Sequence, residues 1–306
     1  MDEKTDIKQR RSERKKSKRK RNIKEQIVFL AYLLPSLGGV ILFFFWPMLM
    51  IFVRSFQRSA TNSEFVGLEN YERVLDNQAF ITAGQNTLIF SGLSVPLAVV
   101  LALFLALILN TKLPGKSAFR SIFLNPMMVP VASIVLIWQV LFSYNGTLNT
   151  YLMPLGLEQI DWMKSDWARI VIMLLFLWKT IGYNMVLFLA ALNNVPAELI
   201  DTSKIDGAGS IRRFFNISLV YLYPTIFFVG IMSLINSFKI FREIYLLTGD
   251  YPYDVLYMLQ HFMNNAFRNL DYQRLASASI IMAIVMIGIV GILFLAEFKL
   301  GKGVEE

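Results

Sequence analysis

The chain has 306 residues, 55% of them hydrophobic, with a mean hydropathy of +0.50 and a formal charge of +8. Its apolar residues fall in blocks near the roughly 20-residue length that a hydrocarbon core about 30 Å thick demands of a helix, which makes it a polytopic membrane protein. The lack of cysteine excludes disulfides, thiolate nucleophiles and Cys-ligated metals, and a single histidine, His261, excludes a multi-His metal site and reads as structural or incidental.

The first 26 residues carry twelve Lys or Arg against five acids, a net +7 that is nearly the whole excess. A polybasic tail abutting the first apolar run fixes that run's side of the membrane and can rest on anionic lipid, so nucleic acid is not an expected partner. The first run is too long for a signal-peptide core and lacks a small-residue cleavage site, so it reads as a retained helix.

Six spans follow in order, near residues 27–53, 87–109, 122–142, 168–192, 217–238 and 275–296. Backbone groups in lipid must pair within the segment, so the expected fold is all-α. Lys112, Lys116 and Arg120 follow span two, and Lys204, Arg212 and Arg213 follow span four. By the positive-inside rule these connections belong in the cytoplasm with both termini. The expected organisation is a cytoplasmic basic tail over 1–26, a transmembrane domain over 27–296 with a cytoplasmic loop at 197–216, and a C-terminal tail over 297–306 that carries Lys299 and Lys302.

Within the spans, Pro47, Pro96, Pro126 and Pro130 each remove a helical hydrogen bond and are expected to kink their helices. Ser91, Gly92 and Ser94, and the run Ala276 to Ser279, offer small surfaces for close helix approach. Lys179 in the middle of span four needs a partner, a wet cavity or a route to the interface, and Tyr183 and Asn184 lie just beyond it. Two readings stay open, a polar inter-helix contact and direct substrate contact. Trp138, Gln139, Tyr144 and Asn145 cluster near the expected outer end of span three, where aromatics beside amides suit sugar rings. Trp138, Tyr144, Trp162 and Trp167 equally suit the membrane interface. The candidate substrate path is therefore Trp138, Gln139, Lys179, Tyr183 and Asn184.

The most regular polar stretch is Glu198-Leu-Ile-Asp201-Thr202-Ser203-Lys204-Ile205-Asp206-Gly207-Ala208, followed by Ile211-Arg212-Arg213-Phe214-Phe215. Pro196 can open a helix, Asp206-Gly207 can end it with a left-handed residue, and a second short helix is expected over 208–215. The result is a compact knob whose apolar side, with Ile211 and Phe214, can enter a cleft.

This stretch resembles the cytoplasmic signature of the permease subunits of binding-protein-dependent ABC importers, in the carbohydrate-uptake family related to the maltose permease. Asp201-Thr202-Ser203 occupies the family's Glu-Ala-Ala position, Ile205-Asp206-Gly207-Ala208 its glycine core and Ile217-Ser218-Leu219-Val220 its ending, where Val220 replaces proline. Gly67-Leu68-Glu69-Asn70-Tyr71 with Asn86-Thr87, Phe119-Arg120 with Trp138 and Asn149, and Phe238-Lys239-Ile240-Phe241 with Leu247-Thr248-Gly249 also resemble it, Asp250 standing where a second glycine is common.

The resemblance implies a type I importer permease in a bacterial or archaeal cytoplasmic membrane, forming half of a path for a sugar or oligosaccharide. It implies a second homologous permease, two cytoplasmic ATPase subunits that bind ATP and magnesium, and an extracellular or lipid-anchored solute-binding protein. Glu198, Asp201, Thr202, Ser203, Ile205, Asp206, Gly207, Ala208, Ile211 and Phe214 would dock on an ATPase. The chain has no phosphate-cradling Gly-x-x-x-x-Gly-Lys-Ser/Thr motif, so it is expected to bind no cofactor and to hydrolyse no ATP itself. Glycerol phosphate or another polar solute in the same architecture is the alternative cargo. A secondary transporter or channel would show coupling acids or inverted repeats, which are not evident.

Overall fold

The computed structural model describes residues 28–59, 61–111 and 114–305, with side chains as far as Lys299. The basic tail 1–26, Lys112 and the side chain of Lys302 lie outside the described residues. Among these residues the regular elements are helices, with an isolated antiparallel bridge between Gln57 and Phe65. Six helical segments are long and apolar enough to cross a membrane.

Helix α1 (Val28–Arg54) is apolar on every face, and its most apolar window is not buried against the rest of the chain at all. Pro47 is accommodated by a π turn over Ile41–Phe45, where Trp46 N–H reaches back to Ile41 O, so the helix shifts register without breaking. After the short α2 (Glu69–Leu75), α3 (Gln78–Leu109) begins nine residues before the apolar run starting at Thr87. Asn77 caps it, its side chain accepting from Ala79 N (3.0 Å) and Phe80 N (3.3 Å), and the polar first turns are helical although hydropathy alone trims them. The helix runs through Pro96 uninterrupted. Its inner face carries Ala98, Ala102 and Ala106, fully buried at four-residue spacing, and this flat strip lets it lie along α7.

The third apolar run is two helices, α4 (Lys116–Met128) and α5 (Val131–Phe142), where one span over 122–142 was expected. Val129 is extended, because the ring of Pro130 disfavours helical backbone in the preceding residue. Pro126 sits inside α4 and is buried. A short α6 (Thr147–Leu152) follows, organised by Asn149. The Asn149 amide donates to Tyr144 O and Ile160 O, both at 2.8 Å, and its oxygen accepts from Ile160 N (3.2 Å) and Trp162 Nε1 (3.0 Å). Every hydrogen-bonding position of a buried amide is thereby filled.

Helix α7 (Trp167–Asn193) is the axis of the bundle, packing on α3, α4 and the long helix of the fifth segment. Gly182 is required there, because a Cβ at that position would lie 1.8 Å from Phe123 O of α4. Beyond α8 (Ala197–Ile205) and α9 (Ser210–Arg213), a π turn over Phe214–Ser218 leads directly into α10 (Leu219–Phe238). The expected second short helix over 208–215 is thus the entry to span five, which begins near Ser210 and not at 217. Helices α11 (Phe241–Thr248), α12 (Leu259–Arg268) and α13 (Tyr272–Glu305) complete the chain.

Hydrogen bonds fasten α3 around Asn86 and Thr87 to the start of α7 and to the start of α12, and close the connection between α1 and α2 on itself. Asn86 Nδ2 donates to Tyr257 O (3.1 Å), Arg169 donates to Asn86 Oδ1 (3.2 Å), Leu259 N donates to Thr87 Oγ1 (3.0 Å), and Asn70 Nδ2 donates to Ser55 O (3.0 Å) and Gln57 O (2.8 Å). Of the small residues read as packing surfaces, Ser91 shares a 2.8 Å hydrogen bond with Ser237 between α3 and α10, and Ser94, Ala276, Ser277 and Ala278 are buried, but Gly92 is exposed because it lies on the outward side of α3.

His261 is fully buried outside the spanning segments. Its Nδ1 accepts from Met258 N (3.2 Å) at the start of α12, and its ring meets Phe241 edge-on with centroids 4.6 Å apart. Burial lowers its pKa to about 4, against a smaller opposing effect of Asp250.

Two predictions follow from this packing. Gly182→Ala forces the α4 backbone away from α7 and lowers stability by about 3 kcal/mol, measured as a drop in thermal midpoint in detergent. Gly92→Ala, where a Cβ meets nothing within 4 Å, leaves the midpoint near that of the parent. At His261 the folded chain resists a proton that the unfolded chain takes up below the ordinary histidine pKa of 6.5. Stability is therefore lost as pH falls through 6.5 toward 4, by about 2 kcal/mol between pH 7.5 and 5 from this ring. Thermal unfolding of His261→Gln, which keeps an acceptor for Met258 N–H, lacks that increment over the same interval.

Candidate functional site

Two places combine exposed or cavity-lining chemistry with a defined local structure. The first is the elbow between α7 and α10. Ala208 N–H bonds Ser203 O (2.9 Å) and Gly207 N–H bonds Lys204 O (3.1 Å), the paired reverse bonds of a Schellman ending. Gly207 carries the φ of +74° that this ending needs. Arg213 then ties the turn from the far side, donating to Ala208 O (2.7 Å) and Ser210 Oγ (3.1 Å). Lys204 and Asp201 pair at 2.7 Å on the outside, a surface contact that adds little to stability.

The elbow therefore has a single shape, and it displays apolar side chains. Ile205 is 87% exposed and Ile211 77% exposed. Glu198, Asp201, Thr202, Asp206 and Gly207 are exposed with them, while Ser203 and Ala208 are half-buried. Phe214 turns inward onto the cluster of Ala106, Leu109, Phe188 and Leu192, so it anchors the elbow to the bundle end. The structure thus brings the ten elbow residues together, with Ile211 exposed and Phe214 partly buried against the bundle.

The second place is a cavity of about 340 Å³ beside the middle of α7. Its apolar wall includes Met127, Val131, Phe176, Met232 and Ile240, and its polar groups are Lys179, Thr180, Tyr183, Asn236, Lys239, Arg242 and Glu243. Lys179 forms an ion pair with Glu243, which is 5% exposed and comes from the first turn of α11. The lysine at bilayer depth thus meets its opposite charge across the cavity floor.

Of the five path residues expected from sequence, Lys179 and Tyr183 line this cavity. Asn184 is buried on another face of α7, where its amide donates to Ser233 Oγ (2.8 Å) and joins α7 to α10. Trp138 belongs to the core, between Phe142 and Trp178, and its Nε1 donates to Val171 O (3.4 Å). Gln139 is exposed, since neighbouring positions on a helix are about 100° apart and α5 turns Trp138 inward on the same side as Ile134 and Val135. Neither lines the cavity.

Glu243, Arg242, Lys239 and Asn236 are cavity residues that the sequence reading did not single out. The available signal was Lys179 itself, since an intramembrane cation calls for an acid, and Glu243 follows an apolar span by only a few residues.

The family model for the inner membrane component of binding-protein-dependent transport systems matches residues 94–300, from the middle of α3 to near the end of α13. The chain belongs to this family. The permease is 32% identical over 274 residues to the sn-glycerol-3-phosphate transport system permease protein UgpA of Yersinia pestis, covering 87% of this chain and 93% of that one. It is 33% identical over 227 residues to the arabinooligosaccharides transport system permease protein AraP of Halalkalibacterium halodurans, covering 72% and 71%. Its fold matches a chain in the crystal structure of a bacterial ABC transporter that imports the acidic polysaccharide alginate, with a TM-score of 0.80, 21% identity, and coverage of 91% of this chain and 98% of that one. The permease thus has the all-α, six-span importer fold and is a membrane-embedded subunit.

In the permease, Glu243→Gln leaves the Lys179 ammonium without its counter-charge and costs about 3 kcal/mol in a detergent unfolding assay. Adding Lys179→Met removes the stranded charge, so the double variant regains most of that loss.

Proposed function

We propose that this permease forms half of the translocation path for a sugar or oligosaccharide in an ATP-driven importer fed by a solute-binding protein. The observation that carries the mechanism is the elbow at 197–215, a rigid Schellman-closed turn presenting Ile205 and Ile211 to a partner. A preformed turn costs little entropy to dock and transmits displacement without deforming. Its root, Phe214, is packed against α3 and α7, and it leads into α10, so a push on the elbow is delivered to α7 and α10, both of which line the cavity.

The assembly in this reading has a second homologous permease and two cytoplasmic ATPase subunits that hold ATP and magnesium. An extracellular or lipid-anchored binding protein hands over the solute, and this chain contributes no ATPase site. The uncovered faces of α1 suit lipid or the second permease. Both termini and the elbow lie in the cytoplasm, supported by the basic residues at 112–120 and 204–213 and by the net +7 tail. In the proposed path, Lys179 and Tyr183 touch the cargo or its water, while Asn184 holds the wall.

The cargo assignment draws on the relative that transports arabinooligosaccharides and on the pairing of aromatic Tyr183 and Phe176 with polar Asn236 and Thr180 in one cavity. A glycerol phosphate is the second reading, favoured by Lys239 and Arg242 in that cavity and by the sn-glycerol-3-phosphate permease relative.

Gly207→Pro tests the coupling role, since proline cannot adopt a φ of +74° and has no N–H for Lys204 O. In the reconstituted importer, solute uptake falls about ten-fold or more while the protein still inserts and folds. Uptake at the parental rate would remove the coupling role from the elbow.

A further inference from the structure

The charges of the cavity do not balance. Lys179 and Glu243 answer each other, which leaves Lys239 and Arg242, and among the described residues neither has an acid partner. Both are exposed, Lys239 just after α10 and Arg242 in the first turn of α11, so the cavity carries two uncompensated cations on its exposed side. In the same cavity, Met127, Val131, Phe176, Met232 and Ile240 supply an apolar lining that concentrates the field within it.

Depth separates a solute from a lipid headgroup as the anion that belongs there. Lys179 is the thirteenth residue of the 27-residue α7, about 18 Å from its start at 1.5 Å per residue. A headgroup lies at the ends of such a helix, whereas a translocated solute passes its middle. The ion pair also holds α11 against α7, which fixes the base of the segment bearing the two free cations. Tyr183, Asn236 and Thr180 supply neutral hydrogen-bonding groups beside them, suited to hydroxyls on the same molecule.

We propose that this cavity receives an anionic group, a carboxylate or phosphate, carried by a hydroxyl-rich solute, and that Lys239 and Arg242 determine this preference. The inference rests on the importer reading for the origin of the solute and narrows it from any sugar or polyol to an acidic one.

The cysteine-free chain allows the site to be read without knowing the cargo. In the complete importer, Asn236→Cys is labelled with methanethiosulfonate reagents bearing either a sulfonate or a trimethylammonium group. The sulfonate reagent is expected to react about ten-fold faster, relative to the ratio for a free thiol in solution. Adding K239Q/R242Q brings the ratio back to that of the free thiol, and either single change, which serves if the double variant does not assemble, lowers it about three-fold. A ratio that is unselective, or unmoved by these changes, overturns the proposal.

Uptake into proteoliposomes is then compared for a uronate oligosaccharide, glycerol 3-phosphate and a neutral arabino-oligosaccharide. Entry of an acidic probe, reduced about ten-fold by K239Q/R242Q, supports the proposal. Preferential entry of the neutral probe, or equal loss of acidic and neutral uptake in the variant, overturns it. If no probe enters while labelling remains anion-selective, the site assignment stands and the sugar or polyol reading is what fails.

Discussion

At bilayer depth a polar group has no water to turn to, and the tertiary arrangement of this protein is largely the solution to that constraint. Lys179 finds Glu243, Asn184 finds Ser233, Ser91 finds Ser237, and the indole of Trp138 finds the carbonyl of Val171. Each bond joins helices that are distant in the chain. Each therefore fixes which face of one helix meets which face of another, a choice that apolar packing alone leaves loosely specified because lipid tails are as apolar as leucine.

Around those polar contacts the packing is local in cause. The strip of Ala98, Ala102 and Ala106 brings α3 against α7, and Gly182 lets α4 touch α7 at its backbone. Three of the backbone exceptions lie where a proline or a glycine dictates them, while the π turn over Phe214–Ser218 and the left-handed Leu270 have neither. A π turn precedes Pro47, Val129 opens before Pro130, and Gly207 closes the helix of the elbow. Stiffness at the elbow and charge in the cavity are properties of separate places, joined through α7, which touches both. That connection is the physical basis for reading the elbow as the place where work enters and the cavity as the place where solute is handled.

Much of the fold was legible from sequence because its signals are local. Six apolar runs are a matter of composition, and α8 with its left-handed Gly207 is a matter of a proline, a glycine and the residues between. Errors came where a local rule was correct but incomplete. Hydropathy trimmed the polar first turns of α3, which are held by the Asn77 cap, and it joined α4 to α5 because Pro130 was read as a kink within one span. It also separated the second half of the elbow from span five, since a π turn leaves no mark in composition.

The cavity was legible only in part, and the reason is topological. From the sequence by itself came the membrane class, the number of spans, the elbow and the anomaly of Lys179, because each depends on residues within a few turns of one another. Only the tertiary structure decided that Trp138 packs in the core, that Gln139 faces outward and that Asn184 ties two helices. It alone placed Glu243, 64 residues from Lys179, at the lysine's side and left Lys239 and Arg242 unmatched beside them. The sign and balance of charge in a membrane cavity depend on how separate helices rotate and meet, and no single segment of the chain contains that information.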